Sequence, residues 1–373
     1  MNIGIVCYPT YGGSGVVATE LGIALAAQNH KVHFITYTQP ARIDVLSENL
    51  FYHEVTFKDY PLFDHAPYVL ALASKLVDVV LHEKLDILHV HYAIPHAASA
   101  NMAKQILESK GIKIPVVTTL HGTDITLVGK DPSYQPVVEF NINQSDAVTT
   151  VSESLKQDTL NSFDIQKEIE VVPNFIDLEK IQRTKKDHFK TAICPNGEKL
   201  LVHISNFRKV KRVDLVVKVF NEVRKKTPAK LLLIGDGPER PGIEKLCREL
   251  GTCEDIRFLG KLTAIDEVLS ISDAFLMPSE SESFGLAALE AMACHVPVVS
   301  SNIGGIPEVN VHGVTGLLSD VGDIETMVQN TITVLDEENL TAYKNAAYER
   351  AKEFDIKLVL PQYLKIYERV VSK

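Results

Sequence analysis

The stretch AFLMPSESESFGLAALEAM, residues 274–292, contains the pattern that decides the fold: a short apolar strand, a polar loop, and a glycine before an apolar helix. Ala274–Met277 is apolar on both faces, as a strand buried inside a parallel sheet should be. Gly285 begins the helix, whose first N–H groups lack intrahelical partners and can hold an anion. Glu282 lies in the loop, and Glu290 lies about 7 Å further along the helix. The stretch therefore predicts a strand–loop–helix unit with two carboxylates beside a phosphate site; a helix start with solvated carboxylates is the alternative.

The same alternation of strand and helix runs through the chain in two series. Each predicted strand is short, rich in β-branched residues and bounded by Gly, Pro, Asn or Asp. The first series is Ile3–Cys7, Val32–Tyr37, Ile87–His91, Val116–Leu120, Ala147–Val151 and Ile169–Val172. The second is Leu200–Ile204, Leu231–Ile234, Ile256–Leu259, Ala274–Met277 and Val296–Ser300. The predicted helices are Thr19–Asn29, Tyr68–Glu83, Val213–Lys226, Gly242–Leu250 and Leu286–Ala293, and Ile324–Lys373 is mostly helical in pattern.

Two such series predict an α/β protein built from two doubly wound, Rossmann-like domains that face each other across a cleft. The length of 373 residues suits two to three domains. Pro173–Asn196 is polar, charged and poor in apolar periodicity, so it is the predicted hinge and linker. Ligands of doubly wound sheets bind at the carboxyl ends of the strands, and the functional residues are expected there.

The charge and the cysteines exclude several classes of function. The chain has 48 acidic and 38 basic residues, a formal net charge of −10, which argues against a nucleic-acid or membrane-surface binder. The five cysteines are scattered without C-x-x-C spacing and predict reduced thiols in a cytoplasmic protein. No apolar run approaches the ~20 residues that span a bilayer. An anionic ligand must therefore be held by a local basic site.

Four further motifs follow predicted strands. Gly12-Gly13-Ser14-Gly15 allows close approach of a ligand, although a tight strand-to-helix turn has the same pattern. His121-Gly122-Thr123-Asp124 places an imidazole that could donate to a ligand oxygen or serve only the structure. Ser205–Arg212, SNFRKVKR, puts four cations at a helix start, where the macrodipole disfavours them unless an anion binds; a solvated basic face is the alternative. Asn302–Glu308, NIGGIPE, is a glycine turn that could be purely structural.

Together, and in this order, these motifs resemble the retaining glycosyltransferases of family 4, which have the two-domain GT-B architecture. The resemblance covers nearly the whole chain. It also includes Val172-Pro173-Asn174, Gly235-Asp236-Gly237-Pro238, Phe258-Leu259-Gly260, and the spacing of seven residues between Glu282 and Glu290. It implies an N-terminal acceptor-side domain, residues 1–172 plus 355–373, and a C-terminal nucleotide-sugar domain, residues 173–354. The last helix, near Lys357–Ser372, would cross back to the first domain.

The resemblance also implies roles for single residues. His121 would orient the transferred sugar, Arg208 and Lys211 would neutralise the diphosphate, and Glu282 would grip the sugar hydroxyls; these four form the predicted catalytic set. Glu290 would bind the ribose diol. The predicted donor-binding residues are Gly13, Ser14, Gly15, Asn206, Leu259, Lys261, Phe284, Gly285, Leu286 and Glu290.

One position departs from the family pattern. The usual basic loop has Arg five residues before Lys, and alignment on Lys211 puts Asn206 there. Arg208 is the candidate replacement. Which cation meets which phosphate is therefore left open.

Within the family, the likeness is greatest to members that transfer N-acetylglucosamine from UDP-N-acetylglucosamine to L-malate, the first step of bacillithiol biosynthesis. It rests on residues 7–15, CYPTYGGSG, on residues 91–97, HYAIPHA, and on Ser205–Arg212. Malate is a small dianion and needs fixed donors. The predicted acceptor-binding residues are Ser14, Tyr92 and Thr119.

The resemblance also implies transfer with retention at the anomeric carbon, in which a donor phosphate oxygen takes the proton of the acceptor hydroxyl. Because the sequence has no D-x-D motif, no metal and no cofactor are expected in the transfer; cations and a helix dipole would stabilise the departing UDP instead. The alternatives are a related transferase with another small or glycan acceptor, an NAD-dependent oxidoreductase, which the missing G-x-G-x-x-G disfavours, and a non-catalytic sugar-nucleotide sensor. Assembly as a homo-oligomer is left open.

Overall fold

The computed structural model describes residues 1–10, 12–40, 43, 47–56, 67–181, 183–184 and 186–372. Tyr11 of the run at residues 7–15 and Lys373 of the predicted helical end lie outside the described residues. The chain divides into two compact units, each an α/β layer structure on a parallel sheet. The first unit comprises Met1–Asn174 and Ile356–Lys373, and the second comprises Phe175–Asp355.

The first unit is built on a seven-stranded parallel sheet with the order β3-β2-β1-β4-β5-β6-β7. Its strands are β1 (Asn2–Val6), β2 (Lys31–Thr36), β3 (Leu50–Glu54), β4 (Ile87–His91), β5 (Val116–Leu120), β6 (Ala147–Thr150) and β7 (Ile169–Val171). Its first helices are α1 (Ser14–Ala27), α2 (Tyr68–Glu83), α3 (Ala98–Glu108), α4 (Gln135–Gln144) and α5 (Glu153–Ser162). The central strands β4 and β5 are buried at every position, which explains their unbroken apolar and Thr/His pattern.

The second unit has a six-stranded parallel sheet with the order β10-β9-β8-β11-β12-β13. Its strands are β8 (Lys199–Ile204), β9 (Ala229–Ile234), β10 (Ile256–Gly260), β11 (Ala274–Met277), β12 (Val298–Ser301) and β13 (Gly316–Ser319). Its helices are α6 (Asp187–Ile193), α7 (Val213–Arg224), α8 (Arg240–Glu249), α9 (Ile265–Ile271), α10 (Leu286–Ala293), α11 (Ile306–Val309), α12 (Ile324–Leu335) and α13 (Glu337–Lys352). In each sheet the strand order reverses beside the first strand of the unit, between β1 and β4 in the first unit and between β8 and β11 in the second. Ligands of doubly wound sheets bind at this position.

The final helix, α14 (Ile356–Val371), belongs to the first unit. Tyr363 and Tyr367 of α14 are completely buried, and the Tyr367 hydroxyl lies 2.6 Å from Nδ1 of His89 in β4. None of the helices in the described part of the chain combines the length and apolar character that spanning a bilayer requires.

The α/β fold with two Rossmann-like sheets is confirmed, but several elements differ from the prediction. The edge strands β3 and β13 were not predicted, because β3, LFYHE, carries polar and partly exposed side chains and β13, GLLS, has only two apolar residues. The segment Pro173–Asn196, predicted to be a linker, contains helix α6. Helix α1 begins at Ser14, five residues before the predicted start. The prediction missed its first turns because they contain small residues and no polar–apolar pattern.

Candidate functional site

In the first unit, the loop after β1 brings Ser14 against Tyr92. Gly13 has a φ of 60°, and a Cβ on Gly15 would lie 2.4 Å from the Tyr8 carbonyl oxygen, so the turn needs both glycines. The Ser14 Oγ lies 2.6 Å from the Tyr92 hydroxyl, within hydrogen-bond distance. Tyr92 follows β4 with a φ of 85°. Two predicted acceptor-side residues therefore meet at the carboxyl ends of β1 and β4.

His121, which follows β5, forms a hydrogen bond with His91 at the end of β4. The His121 Nε2 and the His91 Nδ1 are 2.8 Å apart, and His121 is 9% exposed. Burial, together with the nearby His96, lowers the pKa of His121 to about 3, and burial lowers the pKa of His91 well below its usual range. Both rings are therefore neutral near pH 7, and one of them donates to the other.

The second ring nitrogen of His91 decides which ring donates. Its Nε2 is buried and has no hydrogen-bond partner among the described residues. Because orphaned buried donors are rarer than orphaned acceptors, we assign the proton of His91 to Nδ1, which donates to His121 Nε2. His121 then carries its proton on Nδ1, where it can donate to a ligand oxygen.

Asp124 holds the loop that carries His121. Its Oδ1 accepts from the backbone N–H groups of His121 (3.2 Å) and Gly122 (3.0 Å), and its Oδ2 accepts from that of Ala93 (2.9 Å). Burial raises the pKa of Asp124 to about 6, against the lowering effect of these bonds. Asp124 therefore joins the segments after β4 and β5. The sequence analysis identified the His-Gly-Thr-Asp loop that contains Asp124, but it did not predict a role for this carboxylate.

Thr119, the third predicted acceptor-side residue, lies inside the sheet. Its side chain is buried, and its Oγ1 lies 2.7 Å from both His89 Nε2 and Thr149 Oγ1. The same His89 ring contacts Tyr367 of α14. The hydroxyl is satisfied by internal partners, so this arrangement does not favour direct contact with an acceptor, and that role stays a prediction.

In the second unit, Lys211 and Glu282 form an ion pair. Lys211 ends a short helical turn after β8, and Glu282 lies in the loop after β11. Their side chains are 23% and 11% exposed. The Ser279 hydroxyl, which is buried, donates to the same Glu282 oxygen over 3.2 Å. Two predicted catalytic side chains are thus in contact, and Ser279 is a neighbour that sequence reasoning missed.

The other cations of the basic loop divide into paired and unpaired groups. Arg212 pairs with Asp214 (3.0 Å) and with Glu280 (2.6 Å). Arg208 and Lys209 are exposed and form no ion pair within the described ranges. Two positive charges at this edge of the sheet are therefore not neutralised by a neighbouring carboxylate. Asn206 is exposed beside them.

The loop that carries Glu282 is supported by backbone contacts. The Glu280 N–H donates to the Val210 carbonyl (2.9 Å), and the Gly305 N–H donates to the Glu282 carbonyl (3.0 Å). A Cβ on Gly304 would lie 2.0 Å from the Glu282 carbonyl oxygen. The Glu282 loop therefore packs directly against the glycine turn at 302–308, which leaves no room for a side chain at Gly304. The sequence alone did not show whether this turn was structural or bound a ligand.

The remaining predicted donor residues lie along α10 and β10. Gly285 has a φ of 98° and precedes α10, which leaves the first N–H groups of α10 unpaired within the helix. The Phe284 ring is buried against Phe354, so only its backbone can reach a ligand. The other members are Leu286 and half-buried Glu290 on α10, Leu259 in β10, and exposed Lys261 just after it.

The two regions offer different chemistry. The edge of the first unit presents neutral donors: an imidazole and a serine–tyrosine pair. The edge of the second presents cations, a helix N-terminus and a carboxylate, a combination suited to a diphosphate joined to hydroxyl-bearing groups. A cluster of three side chains with metal-ligand geometry occurs among the described residues at His33, His53 and Glu83, outside both regions.

Two protein-family models match the chain, one in each half. The model described as Glycosyltransferase Family 4 matches residues 11–180. The model described as Glycosyl transferases group 1 matches residues 184–353. The matched ranges contain the candidate residues of the first and second units, respectively.

The chain is similar along its whole length to a named bacterial enzyme. It is 48% identical over 378 residues to N-acetyl-alpha-D-glucosaminyl L-malate synthase of Bacillus anthracis, covering 100% of this chain and 97% of that protein. It is 30% identical over 234 residues to D-inositol 3-phosphate glycosyltransferase of Mycolicibacterium smegmatis, covering 60% of this chain and 52% of that one.

Solved structures share the fold at low sequence identity. HepE of Anabaena, solved with UDP and glucose, superposes with a TM-score of 0.82 at 19% identity, covering 99% of this chain and 100% of that one. Sucrose-phosphate synthase of Thermosynechococcus elongatus gives a TM-score of 0.81 at 20% identity, covering 100% and 99%.

Proposed function

Because the chain belongs to the family 4 glycosyltransferases, we propose that it transfers N-acetylglucosamine from UDP-N-acetylglucosamine to the hydroxyl of L-malate, with retention at the anomeric carbon. The family resemblance of the sequence is confirmed by the matching models and by the full-length similarity. The observation that carries the choice of substrates is the 48% identity to the malate synthase of B. anthracis. The products are N-acetyl-alpha-D-glucosaminyl L-malate and UDP, and the reaction is the first step of bacillithiol biosynthesis.

The second unit binds the donor in this proposal. Arg208 and Lys211 neutralise the diphosphate, and the N-terminus of α10 donates backbone N–H groups to it. Glu282, which accepts a hydrogen bond from the Ser279 hydroxyl, fixes the Lys211 ammonium before the substrate arrives, so little reorganisation is needed as charge develops on the departing UDP. Glu290 binds the ribose, and Leu259 and Lys261 lie beside the uracil.

The first unit orients the sugar and the acceptor. His121 is neutral and donates from Nδ1, so it can hold a sugar oxygen without acting as a cation. Ser14 and Tyr92 offer hydroxyl donors to the malate carboxylates. A donor phosphate oxygen takes the proton of the malate hydroxyl as the new glycosidic bond forms and the bond to UDP breaks.

The proposal includes the setting of the reaction. The transfer needs no metal and no further cofactor, because cations and N–H groups stabilise the leaving diphosphate. The protein acts in the cytoplasm on small molecules. Since both substrates are anions and the chain carries a net charge of −10, binding depends on local cations rather than on the field of the whole molecule.

The test is a product analysis with UDP-N-acetylglucosamine and a panel of acceptors: L-malate, D-malate, L-lactate and an inositol phosphate. We expect the mass of N-acetylglucosaminyl malate only with L-malate, and the small anomeric coupling of an α-glycoside in its proton spectrum. Turnover with the inositol phosphate and none with L-malate would contradict the proposed acceptor but would still show that the chain is a glycosyltransferase. A β-linked product would contradict retention.

A further inference from the structure

We propose that His33, His53 and Glu83 form a binding site for a divalent transition-metal ion of the zinc type. One ligand atom from each of the three side chains lies within 4.8 Å of the other two. His33 lies in β2, His53 in the neighbouring edge strand β3, and Glu83 is the last residue of α2. The residues assigned to the transfer reaction follow β1, β4 and β5 in this unit, so the cluster is separate from them.

The spacing of the two imidazoles supports the proposal. The His33 Nδ1 and the His53 Nε2 are 2.9 Å apart. Two nitrogens that share a tetrahedral zinc ion at bond lengths of about 2.0–2.1 Å are roughly 3.3 Å apart. The two rings therefore need to separate by only a few tenths of an ångström to admit the ion.

The scaffold around the cluster is rigid. β2 and β3 are paired in parallel register, with Ile35 opposite His53, so that His33 and His53 project from the same face. The Phe51 ring stacks on His33 with 4.6 Å between centroids. The end of α2 is tied to β1, because the Asn2 side-chain amide donates to the Glu83 carbonyl over 3.0 Å. The two imidazoles and the backbone of Glu83 are therefore held near one another before any ion binds.

The ligand types identify the class of ion. Two imidazoles and one carboxylate suit Zn²⁺, Cu²⁺ or Ni²⁺, whereas Mg²⁺ and Ca²⁺ prefer oxygen ligands alone. Three protein ligands leave one tetrahedral position for water. Because the site joins the edge strand β3 to β2, bound zinc would stabilise the pairing of these two strands.

The test is a titration of the full-length protein, stripped of metal with a chelator, by isothermal calorimetry with ZnCl₂. We expect one high-affinity zinc ion per chain and no binding of MgCl₂ at equal concentration. His53→Gln and Glu83→Gln should each weaken zinc binding at least about tenfold, because each removes a ligand. His82→Gln is the matched control, since His82 is adjacent to Glu83 but its side chain is 77% exposed and pairs with Asp78.

Thermal unfolding gives a readout that does not depend on catalysis. Zinc should raise the Tm of the wild type and of His82→Gln, and should leave the Tm of His53→Gln unchanged, while far-UV circular dichroism shows all three folded. Absence of zinc binding by the wild type would overturn the proposal. Equal weakening by His82→Gln and His53→Gln would also overturn it, because the ion would then bind surface histidines.

Discussion

At the scale of single residues, the proposed reaction depends most directly on the charge of Lys211, which neutralises the donor diphosphate in that proposal. Its ammonium forms an ion pair with Glu282, which lies in the loop before α10. We expect Lys211→Ala to lower kcat by about 10²–10³-fold, the cost typical of removing one preorganised group that stabilises developing negative charge. Steady-state kinetics at saturating UDP-N-acetylglucosamine measure this loss.

Lys209 is the matched control for that substitution. It lies in the same short turn, is exposed, and forms no ion pair within the described ranges. Lys209→Ala should change kcat by less than about threefold, because exposed charges are screened by solvent and salt. If Lys209→Ala and Lys211→Ala were equally impaired, the turn would act through its overall charge and not through the Lys211–Glu282 pair.

The hydrogen bond between Ser14 and Tyr92 leads to a second prediction at this scale. Ser14→Ala and Tyr92→Phe each remove one hydroxyl of a pair 2.6 Å apart. We expect each to raise the KM for L-malate with a smaller effect on the KM for the donor. Because the two hydroxyls act together, the double variant should cost less than the sum of the single variants. Strict additivity would show that the two hydroxyls bind the acceptor independently.

At the scale of elements, the glycine turn before α11 determines the position of the Glu282 loop. A Cβ on Gly305 would lie 2.3 Å from the Ser283 carbonyl oxygen. Gly305→Ala should therefore displace this loop, lower stability by about 1–3 kcal/mol as overpacking does, and weaken donor binding. Chemical denaturation and calorimetry with UDP measure the two effects.

Gly242 provides the control for Gly305. It lies in α8, where an added Cβ meets no atom within 4 Å. Gly242→Ala should keep or raise stability, because alanine is the better helix former by about 1 kcal/mol. If Gly242→Ala and Gly305→Ala lost the same affinity for UDP, the glycine turn before α11 would have no specific role in donor binding.

The same elements show what the sequence could and could not predict. β4, β5, β11 and α10 were predicted with their observed bounds, because each is short, buried throughout or bounded by a glycine. The carboxyl-end location of His121 and Glu282 followed from β5 and β11, and that of Ser14 followed from the first strand, which was predicted one residue late. The contacts of His91 with His121 and of Ser279 with Glu282 did not, because they depend on which strands are neighbours and on the exact path of a loop.

At the scale of the whole molecule, buried neutral histidines link stability to pH. Burial lowers the pKa of His89 and His121 to about 3 and that of His96 and His203 to about 4. In the unfolded chain these groups titrate near 6.5, so below that pH the unfolded state binds more protons than the native state. Each group should therefore lower the free energy of unfolding by up to about 1.4 kcal/mol between pH 7.5 and pH 5.5.

Asp124 acts in the opposite direction. Burial raises its pKa to about 6 in the native state, so its contribution to stability rises as the pH falls through 6 toward 4. The stabilisation from this one carboxyl is smaller than the combined destabilisation from the four imidazoles. The Tm should therefore fall on acidification from pH 7.5 to pH 5.5. A His203→Gln variant should show a shallower decline. A Tm that stays constant over this range would contradict the neutral state of these rings.

The placement of α14 has a consequence for how the protein folds during synthesis. The first unit needs Tyr363 and Tyr367 to fill its core, yet all of the second unit is translated between residue 174 and that helix. The N-terminal sheet therefore leaves the ribosome before α14 has been made, with part of its apolar interior exposed to solvent. Its core is complete only after α14 has been synthesised and has packed against it. The second unit, made from one continuous segment, can finish first, which reverses the usual order in which N-terminal domains fold before C-terminal ones.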